Sequence, residues 1–267
     1  MSRQTLALIV LFAVAALAGC ARAGQEAPPP VEVTRVVTTV VEVTAPPPVA
    51  PARPKELVIC MAQEPASIYV YGEAMLTARA IRHALYTNYI TNLAYDYQAD
   101  GLEKIPSLAD GDAVIELVQV GAGDIVRRAD DTVGPLAVGD ALVDAAGATV
   151  TFSGTPLSVG QMVVDFTMKP TVWSDGTPVS ATDSVYSFNV ASQPETTAPK
   201  YTIERTAAYE ATGDLSVRWT GLPGFTDSTY FLNFWQPLPE HLWGHLSAAQ
   251  LMQADESNRL PVGDGPF

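Results

Sequence analysis

Trp173-Ser174-Asp175-Gly176-Thr177-Pro178-Val179-Ser180-Ala181-Thr182-Asp183-Ser184-Val185-Tyr186-Ser187-Phe188 decides the fold. Its first half reads as a strand end and a tight turn. Asp175-Gly176 supplies a side chain that bonds its own backbone and a glycine free to take positive φ. Its second half reads as a capped helix at Ala181–Ala191. Ser180 stands at the N-cap, and Asp183 three residues on suits a capping box and the positive helix end. Val185 and Phe188 fall on the inward face.

Upstream, residues 113–168 carry short β-favouring runs: Ala113–Val120, 124–128, Ala141–Val143, 149–152 and 161–168, with Gly, Asp and Pro between them. This spacing predicts hairpins in an antiparallel sheet. Residues 74–93 predict a helix, with Ala78, Ile81, Leu85 and Tyr89 along one face. Residues 56–62 predict a buried strand, with Cys60 as a small buried hydrophobe. Residues 209–219 predict another strand, and Ser247-Ala248-Ala249-Gln250 a last short helix with a second capping box. The order is mixed α and β, without regular βαβ alternation or a solenoid repeat.

The chain has 267 residues and a formal net charge of −14, which argues against nucleic-acid binding because phosphate recognition needs clustered Lys and Arg. Residues 56–267 hold 10 basic and 26 acidic side chains. The N-terminal part differs. Arg3 precedes thirteen apolar residues, 6–18, too few to span a bilayer and suited to an export signal over residues 1–19. Small residues before Cys20 match the pattern in which that cysteine becomes a lipidated N-terminus. Residues 20–55 then form a tether, with eight prolines between 21 and 54. If Cys20 carries lipid, Cys60 has no disulfide partner.

Nothing nominates an enzyme, a cofactor or a metal. His241 and His245 are one turn apart but lack the intervening glutamate of a metalloprotease helix. Gly121-Ala122-Gly123 lacks the third glycine of a dinucleotide loop and reads as a hairpin turn. Seven of the 22 aromatics fall between Trp219 and Trp243: Trp219, Phe225, Tyr230, Phe231, Phe234, Trp235 and Trp243. They serve as core, as ligand contacts, or as both.

The 173–188 stretch resembles the signature of the family 5 extracytoplasmic solute-binding proteins, the peptide-binding receptors of ABC importers. Ala62-Gln63-Glu64-Pro65 and Pro261-Val262-Gly263-Asp264-Gly265-Pro266-Phe267 resemble the same family. The resemblance implies a mixed α/β, periplasmic-binding-protein-like (type II) first lobe, incomplete, with an antiparallel hairpin-rich insertion. It implies a partial solute-binding domain over 56–267 with no chemistry of its own. The partners would be a peptide ligand, permease subunits and, through Cys20, the membrane. Ligand contacts would come from Gln63 and Glu64 in the loop 63–67, from Gly72, Glu73, Ala74 and Met75, and from backbone near 263–265. Trp173, Asp175, Gly176, Ser180 and Asp183 would be structural.

The chain departs from the family in Ile68-Tyr69-Val70, where Leu-Asp-Pro is usual, and in Asp264, where threonine is commoner. It is also about half the family's length. The expectation is a front portion lacking the second lobe and the returning strands, with an unpaired sheet edge and exposed apolar surface. The acidic residue that holds the peptide amino group would lie in the missing half. From another class stands an acidic surface lipoprotein acting as a structural or adhesive module.

Overall fold

Four strands form the central sheet, and a row of four buried side chains explains why they associate. In the computed structural model, which describes Val58 and residues 60–266, Tyr209 faces Trp219, Trp219 faces Val164, and Val164 faces Ala113. All four are buried on one face. Directly opposed side chains are the unit of sheet stabilisation, so this row fixes register across the whole sheet. The strands are β3 (Ala113–Val120), β8 (Leu157–Thr167), β9 (Thr206–Ala211) and β10 (Ser216–Gly221), in antiparallel order β3-β8-β10-β9. A small pair, β1 (Ile90–Thr91) and β2 (Gln98–Ala99), lies apart.

Helix α2 (Ala181–Ala191) packs on β9 and β10, adding Ala181, Val185 and Phe188 to the core of Met162, Phe166, Val217 and Trp219. Its start agrees with the sequence. The Ser180 amide and hydroxyl donate to the Asp183 carboxylate at 2.9 and 3.0 Å.

Between β3 and β8, four short strands make two hairpins: β4 (Ile125–Arg127) with β5 (Val133–Pro135), and β6 (Ala141–Val143) with β7 (Thr149–Thr151). They close a second core of Val126, Leu136, Leu142 and Phe152 against Val120 and Val159. The β3–β8 pair therefore serves two cores, turning Ala113 and Val164 to the main one and Val120 and Val159 to the insertion. Arg205 holds the insertion to the lobe, donating to the Asp131 carbonyl at 2.7 Å and pairing with its carboxylate at 3.1 Å.

The remaining elements are α1 (Leu76–Leu85), α3 (Lys200–Ile203), a 3₁₀ turn (Tyr230–Leu232), α4 (Glu240–Trp243), α5 (Ala248–Leu251) and α6 (Asp255–Asn258). No helix among the described residues is long and apolar enough to cross a membrane.

Several expectations change. The helix expected over 74–93 ends at Leu85, because the Leu85 carbonyl accepts the Gly265 N–H at 2.9 Å and Tyr86 turns extended. Residues 209–219 form a hairpin, not one strand: Thr212 and Gly213 donate back to the Ser216 carbonyl, at 2.8 and 3.3 Å, and turn the chain. The helix opened by Ser247 carries its capping box, with Ser247 N–H to Gln250 Oε1 at 2.8 Å, but α6 follows it.

Within the expected strand 56–62, the described residues are irregular; Val58, Cys60 and Met61 are exposed. An apolar run is buried only where a sheet receives it, and these residues pair with neither edge of the four-stranded sheet. Edge strand β3 does leave apolar side chains outside, with Ile115 at 48% and Leu117 at 65% exposure. Cys20 and residues 1–57 lie outside the described residues.

Candidate functional site

The loop expected to meet a ligand does border a groove, of about 690 Å³. Gln63, Glu64, Pro65 and Ala66 form one wall, Met75 and Ile81 of α1 another, and Asn258 and Arg259 close it. A polar cluster holds this loop in place. The Ser67 hydroxyl donates to Asn258 Oδ1, and the Ile68 N–H donates to the Asn258 carbonyl at 3.0 Å. The Asn258 amide in turn donates to the Ala254 carbonyl at 2.7 Å and to that of Leu251 at 2.9 Å. Buried polar groups satisfied this fully make a rigid mount.

Of the six expected ligand residues, Gln63, Glu64 and Met75 line the groove, and the other three do not. Gly72 is tightly packed, since a Cβ there would stand 2.3 Å from Ser67 Oγ. Glu73 braces the loop: its carboxylate accepts the Ala66 N–H at 3.1 Å, and its carbonyl accepts two Arg82 bonds at 3.0 Å. Burial pulls the Arg82 guanidinium below its ordinary pKa, and the carbonyls of Glu73 and Tyr69 accept its hydrogen bonds. Ala74 is simply exposed.

Backbone near 263–265, expected to face ligand, is used internally. The Gly263 carbonyl accepts the Ser174 N–H at 2.8 Å, and the Gly265 N–H is spent on Leu85. Between them Asp264 is buried. Its carboxylate accepts the Thr87 N–H at 3.0 Å and the Tyr89 hydroxyl at 2.8 Å, while the Thr87 hydroxyl donates to its carbonyl at 2.7 Å. Burial raises the carboxyl pKa above the usual range despite these donors.

The five residues expected to be structural make contacts within the chain. Trp173 is buried with Tyr86 and Val179. Gly176 takes φ +91°, and its N–H closes the turn onto the Trp173 carbonyl at 2.8 Å. Asp175 accepts the Thr177 N–H at 2.9 Å and meets His241 Nε2 at 2.8 Å; these contacts, His241 first, hold its pKa down to about 2. His241 is thereby tied to the turn, and α4 ends at Trp243, short of His245. Asp183 does more than cap: it also accepts the Glu240 N–H at 3.1 Å, and its carbonyl accepts the Leu238 N–H at 3.2 Å. The aromatic cluster is mainly core, with Trp219, Phe225 and Trp243 buried and Tyr230, Phe234 and Trp235 half-buried against it.

Asn258 and Arg259 escaped the sequence reading, because a polar Asp-Glu-Ser-Asn turn about 190 residues from the loop carries no local signal. Gln236 did too. It lines a separate cavity of about 240 Å³.

No family model matches the chain, and no curated protein matches it. Solved structures do. The oligopeptide-binding protein AppA from Bacillus subtilis, in complex with a nonapeptide, aligns with a TM-score of 0.50 at 18% identity, over 76% of this chain and 31% of that one. The oligopeptide binding protein from Thermus thermophilus, complexed with a pentapeptide, aligns at 0.45 and 15% identity, over 68% and 25%. The likeness to AppA is one of fold. It places the chain in the mixed α/β architecture of an oligopeptide-binding protein, of which it spans under a third of the length.

Proposed function

We propose that the chain is the front portion of a family 5 solute-binding protein, the extracytoplasmic receptor of an ABC importer that captures peptides and passes them to permease subunits. The single observation that carries this reading is the fold shared with peptide-bound AppA. The Asp-Gly turn, bracketed by the Val172–Pro178 bridge, and the capped helix that follows support it, being the turn and helix read from the motif that carries the resemblance. In this reading residues 1–19 are an export signal, Cys20 bears the lipid, residues 20–55 tether the receptor, and no cofactor is needed. A tether of that composition keeps a receptor near its permease while letting it search the space around it.

The groove carries both charges on its border, Glu64 and Arg259, and Arg259 is the one placed to meet a peptide carboxylate. Arg259 is exposed, and its 3.6 Å pair with Asp255 is solvent-facing, so its attraction is screened. Arg259→Glu is therefore expected to weaken binding of free-acid tripeptides roughly fivefold, about 1 kcal/mol, and to leave C-amidated tripeptides unchanged. Isothermal titration of both peptide forms checks this. Equal losses for the two forms would remove Arg259 from the site.

A further inference from the structure

The cavity of about 240 Å³ is lined by Asn88, Tyr89, Ile90, Leu232, Phe234 and Gln236. Its geometry follows from how the stretch 233–239 is pinned. The Trp235 N–H donates to the Tyr209 hydroxyl at 3.2 Å, and the Trp235 carbonyl accepts the Ser184 hydroxyl, so Trp235 is fixed toward α2 and β9. Its ring packs on Tyr209 and Phe188. Phe234 and Gln236, on either side of Trp235, both line the cavity with the 88–90 segment. Phe234 meets Tyr89 there, with ring centroids 5.0 Å apart.

Two carboxamide residues, Asn88 and Gln236, line this space. Gln236 Nε2 is buried and has no hydrogen-bond partner among the described residues. Asn88 lines the cavity as well, and its backbone carbonyl is already taken by the Gly101 N–H at 3.1 Å. No charged side chain lines it among the described residues. The cavity is smaller than the roughly 300–1,000 Å³ typical of sites for drug-sized ligands, which suits one residue and not an oligopeptide.

We infer that this cavity is a subsite for a neutral, internal unit of a peptide, its main-chain carbonyl accepting from Gln236 and its apolar side chain lying on Phe234 and Tyr89. The assignment rests on the peptide-receptor reading and deepens it. Termini are disfavoured here because an ammonium or carboxylate would enter without a counter-charge. A secondary amide finds what it needs, since carboxamides offer both donor and acceptor.

The test uses the full chain and the blocked tripeptide N-acetyl-Ala-Leu-Ala-amide, which has no charged ends. Saturable shifts of the Gln236 side-chain amide resonances are expected on titration, with about tenfold weaker binding by Gln236→Met and Asn88→Ala. If the tripeptide binds without moving those resonances, or binds Gln236→Met equally well, the subsite is overturned. If only free-acid peptides bind, the subsite falls and the receptor reading stands. If no peptide of either kind binds, the receptor reading itself falls. Should Gln236→Met fail to fold, the resonance shifts of the unaltered chain decide alone.

Discussion

Gly263→Ala is expected to lower stability by about 3 kcal/mol, and with it Tm by roughly 6–12 °C, as read by calorimetry. A Cβ at this position would lie 1.9 Å from the Leu85 carbonyl oxygen and 2.9 Å from its carbon. Both are backbone atoms at the end of α1, so neither can swing away as a side-chain tip would. The segment would have to lift off. Doing so breaks the Ser174 bond to Gly263, the Gly265 bond to Leu85, and the Thr87 and Tyr89 bonds to Asp264. Gly111→Ala is the control: its φ is +83°, but the added Cβ meets nothing within 4 Å. It is expected to cost only the strain of a left-handed non-glycine residue, about 1–2 kcal/mol. Equal effects at the two positions would show that the Gly263 contact is not what closes the lobe.

Trp219→Ala is expected to cost about 3–5 kcal/mol, the largest loss from any single core truncation. Trp219 is fully buried at the middle of the four-stranded sheet, between Tyr209 and Val164 in register. Its indole N–H donates to the Thr206 hydroxyl at 2.7 Å, so the substitution removes a hydrogen-bond donor along with the packing. It also removes the edge contact with Phe225, at 6.1 Å between centroids. Urea denaturation should show a lowered midpoint at constant slope, which marks lost stability rather than a changed denatured state. A midpoint unchanged from the parent would mean that the sheet's register is held elsewhere.

Legibility in the sequence followed the range of the interactions involved. The bounds of β3, β6 and α2 depend on local run length, bounding turn residues and capping, and they were readable to the residue. β5 was hidden because Gly134 and Pro135 look like turn residues, although Pro135 is tolerated on a two-stranded edge. The end of α1 was not local at all, being set by Gly265, 180 residues away in the chain. The apolar run at 56–62 showed what could be buried without showing what would bury it.

The candidate site divides in the same way. Gln63, Glu64 and Met75 came from a resemblance attached to short motifs. Asn258, Arg259 and Gln236 reach their places through tertiary pinning, by the Ser67–Asn258 cluster and by the Ser184–Trp235–Tyr209 bonds. Glycines 263 and 265 were noticed but misread. Exposed glycine backbone and glycine required for close packing look identical in sequence, and only the distance to Leu85 separates them.

Isothermal titration of the full chain with a pool of short peptides, beside an oligosaccharide and a nickel–histidine chelate, tests the central claim most directly. The peptide-receptor account predicts saturable heat with the peptides alone. Saturable heat with the sugar or the chelate, and none with any peptide, would contradict it.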